Sequence, residues 1–256
     1  MKFTPLISQQ FNGAIWRMEI DSISDTLFAE VRNNEEKQAS FASIDLKTGK
    51  TWFKDFTTPE RWLTGIEAAY DGVLLLHNYQ SETGPAHKGL VAIDAQTAET
   101  LWSNYTHAFD HLTVNGPVVY DTRIHPRQLF LADIKTGAIS RIYEPYVYKE
   151  FTNDIVTPSI LPVELLPSEI KAMHPFGNSV HYLEYNNLII VSLHALKAGQ
   201  LNQLLYIFKV SADGYQDVYE DLLSVNIQKI QPEAFILHKN RLVYIKNKSE
   251  LKVFHL

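Results

Sequence analysis

Ser43-Ile44-Asp45-Leu46-Lys47-Thr48-Gly49 closes one apolar run and opens another, and the phrase returns as Ala92-Ile93-Asp94-Ala95-Gln96-Thr97-Ala98 and as Leu131-Ala132-Asp133-Ile134-Lys135-Thr136-Gly137. An aspartate at the head of such a turn can accept hydrogen bonds from amides two and three residues ahead, and glycine supplies the left-handed position that closes it. Three copies along one chain predict an array of strand–turn–strand units whose neighbours cover each other's apolar faces.

Apolar runs of strand length surround the copies: 26–32, 39–46, 72–79, 89–95, 117–122, 128–133, 188–196, 204–210, 241–246 and 251–256. They alternate with turn signals, and no long segment carries a helical period, which reads as all-β. Val73-Leu74-Leu75-Leu76 and Leu188-Ile189-Ile190-Val191 are apolar on consecutive positions, so both faces of these strands are expected to be buried. Asp71-Gly72, Asn115-Gly116, Asn186-Asn187 and Lys239-Asn240 stand just ahead of apolar runs, and such pairs suit two-residue hairpins. Sheets sandwiched between sheets satisfy both patterns, which points to a β-propeller.

One blade then runs inner strand, tight turn, second strand, longer loop, third strand, Asp-x-x-Thr-Gly turn and outer strand. The third strands end near Asp45, Asp94, Asp133, Val210 and Phe254, which predicts five blades. Three of the intervals are near the ~40–45 residues of a propeller repeat, and the interval from Asp133 to Val210 is far longer. It contains Pro145, Pro158, Pro162, Pro167 and Pro175 within 144–175, a density unsuited to central strands. This stretch reads as an excursion from the ring, with a degenerate sixth blade as the alternative. The last strand, 251–256, has no outer partner in chain order, while 2–8 precedes the first inner strand at 13–20. Pairing the two would close one ring over residues 1–256 and remove two exposed edges.

Ala92-x-Asp94-x-x-Thr97-Ala98-x-x-x-Trp102 resembles the repeat of quinoprotein-type (pyrroloquinoline-quinone-like) β-propellers, in which Ala-x-Asp-x-x-Thr-Gly is followed by a tryptophan. The first copy keeps Asp45, Thr48 and Gly49, with Phe53 at the tryptophan position and Trp52 one place early; the third keeps Asp133, Thr136 and Gly137, with Arg141 there. The resemblance implies a propeller in which the tryptophan wedges between blades. Quinoprotein dehydrogenases are longer and hold their cofactor with a vicinal disulfide and calcium ligands, whereas this chain has no cysteine. The expectation is a short form without a cofactor, similar to uncharacterised bacterial propeller families.

The 256 residues carry 23 basic and 29 acidic side chains, a net charge of −6. That argues against the broad positive surface a nucleic-acid backbone requires. No run approaches the roughly 20 apolar residues that span a bilayer, and polar residues interrupt the first ten positions before a signal-like stretch forms. A soluble, cytoplasmic protein without membrane insertion is expected, and the sequons at Asn104 and Asn247 then have no role.

Few motifs carry chemistry. Thr48-Gly49-Lys50-Thr51 imitates the end of a phosphate-binding loop, but Ile44 stands where its first glycine belongs. His107 and His111 have the spacing of a metal-binding pair, with His87, His125 or His174 as possible third ligands, although surface histidines explain them as well. Glu67 and Asp110, near successive inner strands, could act as the two carboxylates of a small-molecule or glycan hydrolase. The leading expectation is a non-catalytic module that binds a protein or small-molecule ligand on loops rich in aromatics and charge. Arg61, Trp62, His87, Asp110, His111 and Tyr148 are its candidate contacts.

Overall fold

The structure, a computed structural model, describes residues 4–212, 214–232 and 234–256, without the side chains of 140 and 141. The described residues form five antiparallel sheets, one 3₁₀ turn (Val163–Leu165) and a single-turn helix α1 (Ser168–Lys171). They fall into two compact units, Asn12–Asn153 and the segment through Phe11 together with Asp154–Leu256. No helix among the described residues is long and apolar enough to cross a membrane.

The chain opens with β1 (Ile7–Gln10). Three four-stranded meanders then fill Asn12–Asn153: β2 (Ala14–Asp21), β3 (Thr26–Asn33), β4 (Gln38–Asp45) and β5 (Thr51–Phe56); β6 (Thr64–Tyr70), β7 (Val73–Tyr79), β8 (His87–Asp94) and β9 (Thr100–Asn104); and β10 (His107–Thr113), β11 (Gly116–Asp121), β12 (Leu129–Ala132) and β13 (Ile139–Ile142). Each repeated phrase joins the third strand of a meander to its fourth. Asp45, Asp94 and Asp133 each accept the amide two residues ahead at 2.7–3.0 Å, and each also binds the hydroxyl of Thr48, Thr97 or Thr136. The closing positions, Gly49, Ala98 and Gly137, all have positive φ.

The strands pack as their runs of apolar residues require. Leu74 and Leu76 of β7 join Phe28, Phe41 and Ile66 in one core cluster, while Val73 and Leu75 join Ala92, Val119 and Ala132 in another. Alternate residues of β7 therefore serve opposite faces, both buried. Trp102 locks the second meander to the third: its Nε1 donates to Ile134 O at 2.8 Å, and a Cβ on Gly137 would lie 2.6 Å from its ring. Phe53 and Ala98 border the same core cluster between the first and second meanders, so phenylalanine fills the tryptophan position of the first copy.

The other unit contains β14 (Ile155–Val156), β15 (Ser159–Pro162), β16 (Ser179–Tyr185), β17 (Leu188–Lys197), β18 (Gln200–Ser211), β19 (Gly214–Ser224), β20 (Phe235–His238), β21 (Arg241–Lys246) and β22 (Glu250–His255). They form a sheet ordered β15-β16-β17-β18-β19 and another ordered β1-β22-β21-β20-β14. Ile190, Leu205, Ile207, Phe235, Leu242 and Phe254 make their shared core. The expected pairing of the N-terminal segment with the last strand is present, with Ile7 opposite Val253 and Gln10 opposite Glu250; residues 1–3 lie outside the described residues.

Two expectations need correction. The proline-rich stretch 144–175 does not leave the sheets throughout, because 155–156 and 159–162 are edge strands β14 and β15, where a missing amide donor is tolerated. The β10–β11 hairpin turns on Val114-Asn115, with Gly116 already in the strand opposite Thr113. Gly116 is set by closeness: with φ at 128°, a Cβ there would lie 2.5 Å from Ala132 O. Asp71-Gly72, Asn186-Asn187 and Lys239-Asn240 turn where expected.

Candidate functional site

The first strand of each meander in Asn12–Asn153 carries a bulge. Pairing shifts between Ile15 and Arg17, between Ile66 and Ala68, and between Phe109 and His111, so the extra residues are Trp16, Glu67 and Asp110. A bulge re-aims its side chain and frees backbone groups. Arg17 takes up those of the second bulge, donating from Nη1 to Ile66 O at 2.9 Å and from Nη2 to Glu67 O at 3.1 Å, while Glu19 holds the same guanidinium at 2.7 Å. Glu67 and Asp110 thus occupy equivalent positions in successive meanders.

Around Glu67 the sheet brings two histidines together. On β8 a second bulge, at Gly89 with φ at 67°, shifts the register so that His87 reaches His77 on β7. Their rings stack at 3.5 Å, only 8° from parallel. His87 Nδ1 donates to Glu67 Oε2 at 2.9 Å; His77 Nδ1 lies 3.1 Å from the same oxygen, close enough for an ion contact but not aligned as a hydrogen bond. Gly65 faces His77 across the ladder, and a Cβ there would lie 3.0 Å from the ring, close enough that the imidazole would have to give way by a few tenths of an ångström. The side chains of His77, Glu67 and His87 are 2%, 10% and 33% exposed. Burial pushes the Glu67 carboxyl up, but the close approach and charge of His77, with the hydrogen bond and charge of His87, outweigh it and hold the group below 4.5. Neither ring nitrogen of His77 has an aligned hydrogen-bond partner among the described residues, an arrangement that costs about 1–3 kcal/mol for a buried polar group.

Tyr79 stands perpendicular to both imidazoles, with ring centres at 4.7 Å and 5.2 Å. Beyond it Arg32 lies 5.8 Å from Tyr79 and 4.8 Å from the Trp62 ring, and donates to the carbonyls of Trp62 and Thr64. Glu30 holds this buried guanidinium at 2.7 Å and accepts the Ile66 amide at 2.8 Å, which ties β3 to β6 beside the bulge. Trp62 and His87 therefore belong to one continuous group, joined by Arg32 and Tyr79. Arg61 stands next to it in the turn, its carbonyl accepting the Ala39 amide and its side chain exposed.

The remaining candidates gather on the third meander. Tyr143 donates to His111 Nε2 at 3.0 Å, His111 Nδ1 donates to Asp110 Oδ2 at 2.8 Å, and Tyr148 stacks on Tyr143 with ring centres 5.7 Å apart. Arg127 completes the group at 3.3 Å from Asp110. His107 does not join His111: its Nδ1 lies 3.2 Å from Thr106 Oγ1, and the bulge between them breaks the alternation that would have put both on one side. Burial lowers the His107 pKa from 6.5 against the opposing pull of Asp121.

The donor atoms of Glu67, His77 and His87 lie within 4.8 Å of one another, the one such group of three among the described residues. Glu67 and Asp110 were legible as candidates from their place near inner strands, and His87 from its loop. His77, Tyr79, Arg32 and Arg17 were missed. The available signal was Leu76-His77-Asn78-Tyr79, where an apolar strand turns abruptly to polar and aromatic residues.

Glu67 also borders a cleft of about 460 Å³, lined by Glu19, Ile20, Ala68, Leu112, Phe151 and Asn153 among others. Phe151 reaches it because its amide donates to Leu112 O at 2.9 Å and its ring meets Tyr70 edge-on at 5.2 Å. Glu19 and Glu67 use one carboxylate oxygen each in their ion contacts; the second oxygen of each has no partner among the described residues.

Residues 20–102 match the family model described as "Domain of unknown function (DUF4905)". Among curated proteins none matches the chain. Solved structures similar to it include BamB from Moraxella catarrhalis, 8% identical over 100% of this chain and 98% of that one, with a TM-score of 0.37. A eukaryotic initiation factor is 9% identical over 94% of this chain with a TM-score of 0.34, and a europium-containing methanol dehydrogenase is 10% identical over 94% with a TM-score of 0.31; the chain spans about half of each, 52%.

Proposed function

We propose that the chain is a non-catalytic binding module, built as a five-bladed propeller, that takes a small ligand in the cleft beside Glu67. The repeated sheet order supports the blades, as does β1, which gives β22 the outer partner it lacks in chain order. The Asp-x-x-Thr phrase, quinoprotein-like in sequence, serves here as the turn between third and fourth strands. The observation that carries the binding reading is the cleft itself: two carboxylates with spare acceptor oxygens line it together with Ile20, Leu112 and Phe151. Such a lining suits a compact ligand with a cationic or donor head and an apolar body.

The same geometry weighs against the hydrolase alternative. A glycosidase acid must keep its proton near neutrality, so its pKa is raised. Glu67 is shifted the other way by its histidines, and Asp110 is committed to His111 and Arg127. A panel of p-nitrophenyl glycosides assayed at pH 5–8 tests this: wild-type protein and Glu67→Gln are expected to release nitrophenol at the same background rate. Turnover that disappears in both Glu67→Gln and Asp110→Asn would establish the hydrolase instead.

A further inference from the structure

We propose that Glu67, His77 and His87 form a binding site for one divalent transition-metal ion of the zinc class. Two imidazoles and a carboxylate make a borderline-hard donor set, with no thiolate to favour softer ions. The donor spacing fits. Ligand bonds of about 2.0–2.2 Å in a tetrahedral shell put neighbouring donors about 3.3–3.5 Å apart. Glu67 Oε2 already lies 2.9 Å and 3.1 Å from the two Nδ1 atoms. His77 supplies the second observation: it is buried, and neither of its nitrogens has an aligned partner among the described residues. A metal ion would use Nδ1 of His77, 3.1 Å from the Glu67 carboxylate, as a ligand in the neutral form of the ring with its proton on Nε2.

The stacking dictates how the ion enters. A metal sits near the plane of an imidazole, and two rings stacked at 3.5 Å and 8° aim their lone pairs side by side instead of at one point. One ring has to tilt. His77 is fixed between Gly65 and Tyr79, whereas His87 is one-third exposed and follows the loop 80–86. His87 therefore swings about its side-chain torsions and releases its hydrogen bond to Glu67; its Nδ1 proton passes to solvent while Nε2 takes up a proton from solvent, and the freed Nδ1 lone pair comes onto the ion. Arg17 keeps Glu67 in place throughout by holding the bulge carbonyls. Three protein ligands leave a fourth position for water or a ligand atom.

The site goes beyond the binding reading; it shares Glu67 with the cleft, but His87 and His77 are not among the residues lining it, so His87→Ala removes the metal site and leaves the cleft intact. Chelator-treated full-length protein is titrated with zinc chloride against a chromophoric chelator, alongside His87→Ala, Glu67→Gln and His111→Ala. Wild type and His111→Ala are expected to bind one equivalent tightly enough to titrate stoichiometrically at micromolar protein. His87→Ala and Glu67→Gln, whose melting curves report whether they are folded, are expected to bind at least tenfold more weakly. Wild-type binding no tighter than that of folded His87→Ala overturns the proposal, as does a site lost in His111→Ala and kept in His87→Ala. Cobalt substitution gives a second reading: visible bands of a tetrahedral ion in wild type, absent from His87→Ala, and their absence from wild type contradicts the site.

Discussion

Ala98 is the residue at which the repeat departs from its own rule. It holds φ at 61°, where the other copies have glycine, and a left-handed alanine is strained by about 1–2 kcal/mol. Glycine loses more chain entropy on folding, so Ala98→Gly is expected to stabilise the protein by a net ~0.5–1 kcal/mol, or about 1–4 °C in melting temperature. Gly137→Ala should act oppositely and more strongly, on the order of 2 kcal/mol or more, because its Cβ would collide with the Trp102 ring as well as strain the turn. Thermal melts of the two variants check both signs. The turn role of the three aspartates could be read from spacing, whereas the Trp102–Gly137 contact could not, since it joins residues of different sheets.

Asp221 makes a second prediction. Burial pushes its carboxyl up, but Lys246, Tyr244 and Lys252, at 2.5, 2.7 and 3.0 Å, outweigh that and hold it at about 2. The folded state thus binds this proton less readily than the unfolded chain does. The stabilising contribution is complete above the unfolded value near 3.8 and is lost as pH falls through about 2. Asp221→Asn is expected to cost on the order of 2 kcal/mol at pH 7 and to flatten the loss of stability between pH 4 and pH 2. Denaturant unfolding at several pH values measures it; an equally steep loss in the variant contradicts the assignment.

Among the elements, β1 is the one whose placement the chain order foretold. It adds four ladder pairs to β22 and buries Ile7, with Phe11 packed just beyond it. Deleting residues 1–9 is expected to lower the melting temperature on the order of 10 °C, since burying one such side chain is worth about 2–5 kcal/mol and each kcal/mol moves the midpoint about 2–4 °C. An unchanged midpoint would remove the support for ring closure. Strand positions were largely legible because unbroken apolar runs such as Val73–Leu76 admit few other readings. The bulges were not, because register depends on which residue faces which across a ladder, and that is a property of two strands. Glu67 was visible as an acid near an inner strand, but its histidine partners depend on two bulges, one on β6 and one at Gly89. The edge strands β14 and β15 stayed hidden behind their prolines for the opposite reason: proline argues against a central strand and leaves an edge strand open.

The meanders of Asn12–Asn153 hold both the cleft and the three-residue cluster argued to bind ligands. Two carboxylates with spare oxygens, a wall of Phe151, Leu112 and Ile20, and the Glu67–His77–His87 cluster lie on or beside β2, β6 and β10. Net charge of −6 accords with a cationic ligand more than an anionic one. Thermal unfolding of wild type and Phe151→Ala with benzylamine, phenethylamine or tryptamine asks whether the cleft binds. At a ligand concentration about a hundredfold above Kd, binding stabilises by about 2.7 kcal/mol, which raises the wild-type midpoint by about 5–10 °C. The expected result is such a rise with at least one amine in wild type and a much smaller one in folded Phe151→Ala; no rise with any amine, or equal rises in both proteins, would contradict a binding site in this cleft.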